Sequence, residues 1–257
     1  SNGSYKSAGT VNITATASEA VVADNTITAT LDTGDNVTLT AAANGTTLVG
    51  TYTVSAGDNS NDLTVSSFSI GTVTDIAGNA MASTTVPGTN IASGSAIVID
   101  TTVPTITSFT STTNNGNYNS GDTVNITATA SEAVVSGNTI TATLDTGDAV
   151  LLTAAANGTT LVGTYTVGAG DNSNDLTVSS FSIGTVTDIA GNAMAGTTVP
   201  GTNIASGSAI VIDTTVPTIT SFTSTTNNGS YISDDTVNIT ATASEAVAVI
   251  FTVSSEI

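Results

Sequence analysis

Apolar residues alternate with Thr, Ser and Asn over short stretches, and Gly, Asn and Asp clusters break the alternation every eight to twelve positions. Period-two alternation bounded by turn residues predicts half-buried β-strands rather than helices. Over the central part of the chain it predicts seven strands, A to G: 105–111, 123–130, 139–144, 150–154, 159–167, 176–186 and 208–212. A tight hairpin at DTGD separates the third and fourth, and ANGT turns into the fifth. Thr and Val suit a pleated surface, and the helix formers Leu, Glu and Lys are scarce. Tyr52, Phe68, Tyr165 and Phe181 fall on the fifth and sixth strands as core positions.

The pattern is itself repeated. TVNITATASEAV starts at Thr10, Thr123 and Thr236, and TVTDIAGNAMA starts at Thr72 and Thr185, so the interval is always 113. Residues 1–113 and 114–226 differ at eleven positions. A solenoid unit is about 20–50 residues long, so a period this long marks a domain-sized bead. The expected units are 1–100 (a first repeat without its own strand A), 101–213 (a complete repeat) and 214–257 (strands A and B followed by a divergent tail from residue 248). The plain account of such ends is a piece of a longer array. The sharper one is strand exchange, in which residues 216–226 of one subunit complete the open first repeat of another, giving a head-to-tail surface filament or surface layer.

Seven strands per hundred residues fit an immunoglobulin-like β-sandwich. The motifs NGSYISDDTVNITATASEAV, GTYTVGAGDNSNDL, VTDIAGNAM and AIVIDTTVPTI, in that order, resemble the bacterial Ig-like tandem repeats of large secreted adhesins and cell-surface proteins. That resemblance implies an extracellular extender module, often stiffened by calcium. Some surface-protein sandwiches carry Lys–Asn isopeptide staples. Here Lys6 becomes Asn119 in the second copy, which has no lysine to use.

Charge narrows the function. Twenty carboxylates face one cation, Lys6, for a net charge of −19, and there is no His, Cys, Arg or Trp. Nucleic-acid binding is excluded for want of cations to neutralise phosphates. No apolar run approaches the roughly 20 residues of a spanning helix, so no membrane insertion is expected. Catalysis is not expected either. Nucleophilic triads lack their histidine, and a carboxylate-pair glycosidase would repeat in every bead without a sugar-stacking Trp.

The carboxylates fall at informative places. In a sandwich of this kind the BC and FG loops share a pole with the entry of strand A. Glu132 follows strand B, Asp188 and Asn192 follow strand F, and Asp100 leaves the preceding bead at the same pole. Three like charges so close would repel and loosen the joint. Calcium, which takes six to eight oxygens, resolves that conflict. Asp100, Glu132, Asp188 and Asn192 are therefore candidate calcium ligands at the joint. Shifted by one period, the set becomes Asp213 and Glu245 at the next joint, and Glu19, Asp75 and Asn79 in the first repeat. Asp58, Asp62, Asp171 and Asp175 in the AGDNSNDL loops form a weaker second set at the opposite pole. The competing reading of all these residues is turn chemistry, in which Asp and Asn cap the backbone. The expected partners are neighbouring repeats or identical subunits. The competing class is a binding module whose BC and FG loops recognise a host-surface, protein or glycan ligand.

Overall fold

The structure is a computed structural model that describes residues 2–246; the divergent tail from residue 248 lies outside them. Every regular element is a strand except two single 3-10 turns, Ile91–Ser93 and Ile204–Ser206. The first repeat contains β1 (Gly3–Tyr5), β2 (Thr10–Val21), β3 (Thr26–Leu31), β4 (Asn36–Thr40), β5 (Gly45–Thr53), β6 (Asn59–Ser60), β7 (Val65–Ile70) and β8 (Ile97–Asp100). The second contains β9 (Ile106–Ser111), β10 (Gly116–Tyr118), β11 (Thr123–Val134), β12 (Thr139–Leu144), β13 (Ala149–Thr153), β14 (Gly158–Thr166), β15 (Asn172–Ser173), β16 (Val178–Ile183) and β17 (Ile210–Asp213). The third contributes the hairpin of β18 (Ile219–Ser224) and β19 (Ile239–Ala243).

In the second repeat six strands form one curved sheet in the order β16-β12-β13-β14-β11-β9. It is nearly two sheets: β13 runs along β12 for five residues but meets β14 only at Thr153–Val162. A separate three-stranded sheet holds β17 between β10, which is parallel to it, and β15, which is antiparallel. This sandwich or half-barrel keeps the seven predicted strands within a few residues and adds β10 and β15. The last strand, β17, pairs with these two additions and not with β16.

Alternation is carried into burial. Residues 124, 126, 128 and 130 of β11 are buried, and the Thr and Asn between them face outward or half outward. The first repeat folds in the same way but has no neighbour on the outer side of β2, which is the edge of its five-stranded sheet. Its core holds sixteen buried apolar residues against twenty-four in the second repeat. Ile106 and Phe109 of β9 have no counterpart there. Six others, Ala15, Ala17, Val65, Phe68, Met81 and Ile91, drop from buried to half-buried. Phe68, expected in the core, is thus only partly covered, whereas Tyr52, Tyr165 and Phe181 are buried as predicted. Among the described residues no helix is long and apolar enough to cross a membrane.

Candidate metal site at the joint between repeats

Asp100 ends β8, where its main chain pairs with Asn59 of β6. The linker after it is held on both sides. The Thr101 amide donates to Asn59 Oδ1 at 3.1 Å and the Thr101 hydroxyl to the Asp58 carbonyl at 3.1 Å. Thr102 N donates to Asp100 Oδ1 at 3.0 Å, so Asp100 also shapes the turn that follows it. Pro104 is buried, and Thr105 exchanges bonds with Ser131 of β11, beside the candidate ligand Glu132. An acid between the end of one bead and the Val-Pro of the next is therefore fixed by both.

Glu132 is not in a loop. β11 continues to Val134, and Glu132 lies where its pairing with β14 shifts register between Thr129 and Val134. A bulge of this kind re-aims side chains out of strict alternation. Asp188 faces β11 through a bridge to Val134 and is only 2 % exposed. Its carboxylate accepts the Asn192 amide at 2.8 Å and the Asn192 side-chain Nδ2 at 2.7 Å. The same Nδ2 donates to the Asp100 carbonyl at 2.8 Å, which couples the linker to the turn of the second repeat.

The outcome is a group of three carboxylates, Asp100, Glu132 and Asp188, each offering an oxygen within 4.8 Å of the other two. Oε1 of Glu132 is buried and accepts no hydrogen bond. Burial pushes the Glu132 carboxyl above its ordinary value, and the charges of Asp100 and Asp188 add to the rise. At this spacing two unit charges repel by roughly 1 kcal/mol in bulk water and about 3–4 kcal/mol at an effective dielectric of 20. Three converging carboxylates with an orphaned oxygen suit a hard cation.

The lone cation of the chain takes part in the joint, which sequence reasoning missed. Lys6 Nζ reaches from the first repeat to the Gly191 carbonyl at 2.9 Å, in the turn that carries Asp188 and Asn192. Among the described residues it makes no ion pair with a carboxylate. A contact spanning 185 residues leaves no spacing signal in a sequence.

The remaining candidates are arranged differently. Asn192 enters as a hydrogen-bond donor bracing Asp188. In the first repeat Asn79 braces Asp75 in the same way, at 2.7 and 2.6 Å, and these bonds hold the Asp75 carboxyl below its usual range. Glu19 is exposed there, and it is not gathered with Asp75 into a group of three acids among the described residues. Asp213 is exposed, with Oδ1 accepting the Thr215 amide, while Glu245 has a buried, unpartnered Oε1.

The weaker set does turn work. Asp58 accepts the Tyr52 hydroxyl at 2.5 Å and the Ser55 amide at 2.7 Å. Asp171 likewise accepts the Tyr165 hydroxyl and the Gly168 amide. Burial raises both tyrosine hydroxyls, and the acid beside each adds to the rise. Asp148 is pushed up by burial and by the neighbouring Asp171, whose own carboxyl the Tyr165 hydroxyl holds down. Asp62 accepts the Ile97 amide at 3.4 Å, and the Asp175 amide donates to Ser173 Oγ at 3.3 Å. In comparisons with protein-family models and with curated proteins, nothing matches this chain.

Proposed function

We propose that this chain is a non-catalytic, extracellular structural or adhesive protein. In this reading its Ig-like beads form a stalk or fibre whose joints are stiffened by calcium. The observation that carries the reading is the convergence of Asp100, Glu132 and Asp188, with one buried oxygen left without a donor, at the point where one bead meets the next. Asp100 comes from the first repeat and the other two from the second, so an ion held by all three restrains the angle between them.

The donor set favours calcium over magnesium. Calcium accepts irregular arrays of carboxylate and carbonyl oxygens, whereas magnesium demands a near-ideal octahedron and keeps several waters. Asn192 would hold Asp188 in place for the ion, as it does through two hydrogen bonds already. Lys6 ties the outer side of the same turn to the first repeat without occupying the acids.

Isothermal titration with calcium chloride tests the reading. The chain should take up one ion at the complete joint, with an affinity near that of extracellular modules, about 10⁻⁴ to 10⁻³ M. Glu132→Gln should abolish that uptake. Small-angle scattering should show a narrower spread of lengths with calcium than with EDTA. Uptake unaffected by Glu132→Gln would remove the joint from the account.

A further inference from the structure

The outer edge of β2 borders an open apolar cavity of about 580 Å³. It is lined among others by Ala15, Ala17, Phe68, Met81 and Ile91, five of the six residues that lose burial relative to the second repeat. In the second repeat the same place is filled by β9, the segment ITSFTS. β9 pairs with β11 from Ile126 to Ala130, and Phe109 is 0 % exposed beneath it. The Phe109 amide also donates to the Thr202 carbonyl at 3.1 Å. The counterpart of Thr202 in the first repeat, Thr89, lines the cavity.

The chain carries the filler a second time. β18 has the same six residues, ITSFTS, and all of them are exposed, with Phe222 at 73 %. Its only neighbour is β19, in a two-stranded sheet. An isolated two-stranded hairpin is marginal in water, because neither face is covered.

We propose that β18 of one copy inserts into the cavity of the first repeat of a second copy, pairing with β2 as β9 pairs with β11. Insertion replaces the β18–β19 ladder by a β18–β2 ladder of the same register, so the number of backbone bonds is nearly conserved. The net gain is apolar burial: Phe222 and Ile219 take the places that Phe109 and Ile106 hold in the second repeat. β19 is released in the exchange.

The occupant has to come from another molecule. Five linker residues, 214–218, extend at most about 18 Å, and the first two are tied to Asn172 and Asp171 of the second repeat. That repeat, whose β11 has twelve residues, stands between β18 and the cavity and is roughly 40 Å long. Because each copy offers one cavity and one β18 at opposite ends, the contact is heterologous and propagates head to tail. Residues 216–226 carry no charge, so the docking strand brings no acid against a body of net charge −19. Strand addition to a free edge is an established mode of recognition.

Sedimentation of the 257-residue chain over a concentration series tests this. It should be run in EDTA, so that the outcome does not depend on the calcium joint. The mass should rise above 25.1 kDa in whole multiples, and more readily at high salt, where repulsion between chains is screened. Amide hydrogen exchange at residues 13–17 should slow as the oligomers form. Two variants should stay monomeric: Phe222→Asp, and a chain with a copy of residues 103–113 fused directly ahead of Ser1. Association of either should be at least tenfold weaker. A mass of 25.1 kDa at every concentration overturns the proposal. So do oligomers that persist in either variant, or that leave residues 13–17 unprotected.

Discussion

The first and second repeats differ at eleven of 113 positions, yet they are not equivalent as structures. In the second, β9 seals the outer edge of β11 and twenty-four apolar residues are buried; in the first, that edge is bare and sixteen are buried. In the second, Glu132 is half-buried beside Asp100 and Asp188; in the first, the corresponding Glu19 is exposed. Nearly identical residues have different environments because each bead borrows from what precedes it. The linker that supplies strand A also delivers Asp100. Core completeness and the acidic site are therefore properties of the joint, and a bead without a predecessor lacks both.

The largest effect should come from emptying the strand-A position. Phe109→Ala removes a fully buried ring that packs edge-on to Phe181, with centroids 5.6 Å apart. It should cost the second repeat about 3–5 kcal/mol, read as a shift of its transition to lower urea. The matching Phe222→Ala, on a residue 73 % exposed, should leave the monomer's transitions where they are. Equal losses in the two variants would break the comparison.

Next in size is the turn acid. Asp188→Ala leaves the buried Asn192 without its two acceptors, which costs about 1–3 kcal/mol. Asp75→Ala makes the same deletion around the exposed Asn79, where water replaces the lost partner, and should cost less. Denaturation of the two variants side by side measures the gap.

A smaller effect is tied to pH. Because folding raises the Glu132 carboxyl, by burial first and then by Asp100 and Asp188, the folded chain holds that proton more tightly than the unfolded one. In EDTA its contribution favours the folded state at acid pH and is lost as pH rises through the raised value. Calcium requires the carboxylate, so a saturating ion should reverse the slope. The contribution is read as the difference between wild type and Glu132→Gln. That variant should be more stable than wild type at neutral pH without calcium and indifferent to its addition.

Smallest is a difference between the two turns. Ser55 Oγ donates to Asp35 in the first repeat, and Gly168 at the matching position offers Asp148 no hydroxyl. Gly168→Ser should return a donor to Asp148 and add about 0.5–1.5 kcal/mol at neutral pH. Its check is an NMR titration of the Asp148 carboxyl, which should fall.

Much of this was legible beforehand. The 113-residue period and strict alternation placed β9 to β14 within a few residues, because half-buried strands of five or more residues leave a period-two trace. β10 and β15, three and two residues long, leave none, and their partner β17 is recognised only by pairing across the chain. The meeting of Asp100, Glu132 and Asp188 followed from which loops share a pole. That Glu132 lies within an irregular strand did not, since SEAV reads equally well as a strand end. Lys6 was set aside as irrelevant to the acids, yet its ammonium bridges the two repeats. The bracing by Asn192 was mistaken for ligation because asparagine offers both an amide donor and an oxygen, and the spacing does not say which faces the acids.

The most direct test is thermal unfolding of wild type and Asp100→Asn, each in millimolar calcium and in EDTA. Asn at 100 keeps an oxygen for the Thr102 amide, so the linker turn survives while one charge is removed. At tenfold excess over Kd the ion should stabilise wild type by about 1.4 kcal/mol, raising its melting temperature, while the variant gains little. Melting curves that neither chelation nor the substitution shifts would contradict a calcium-held joint.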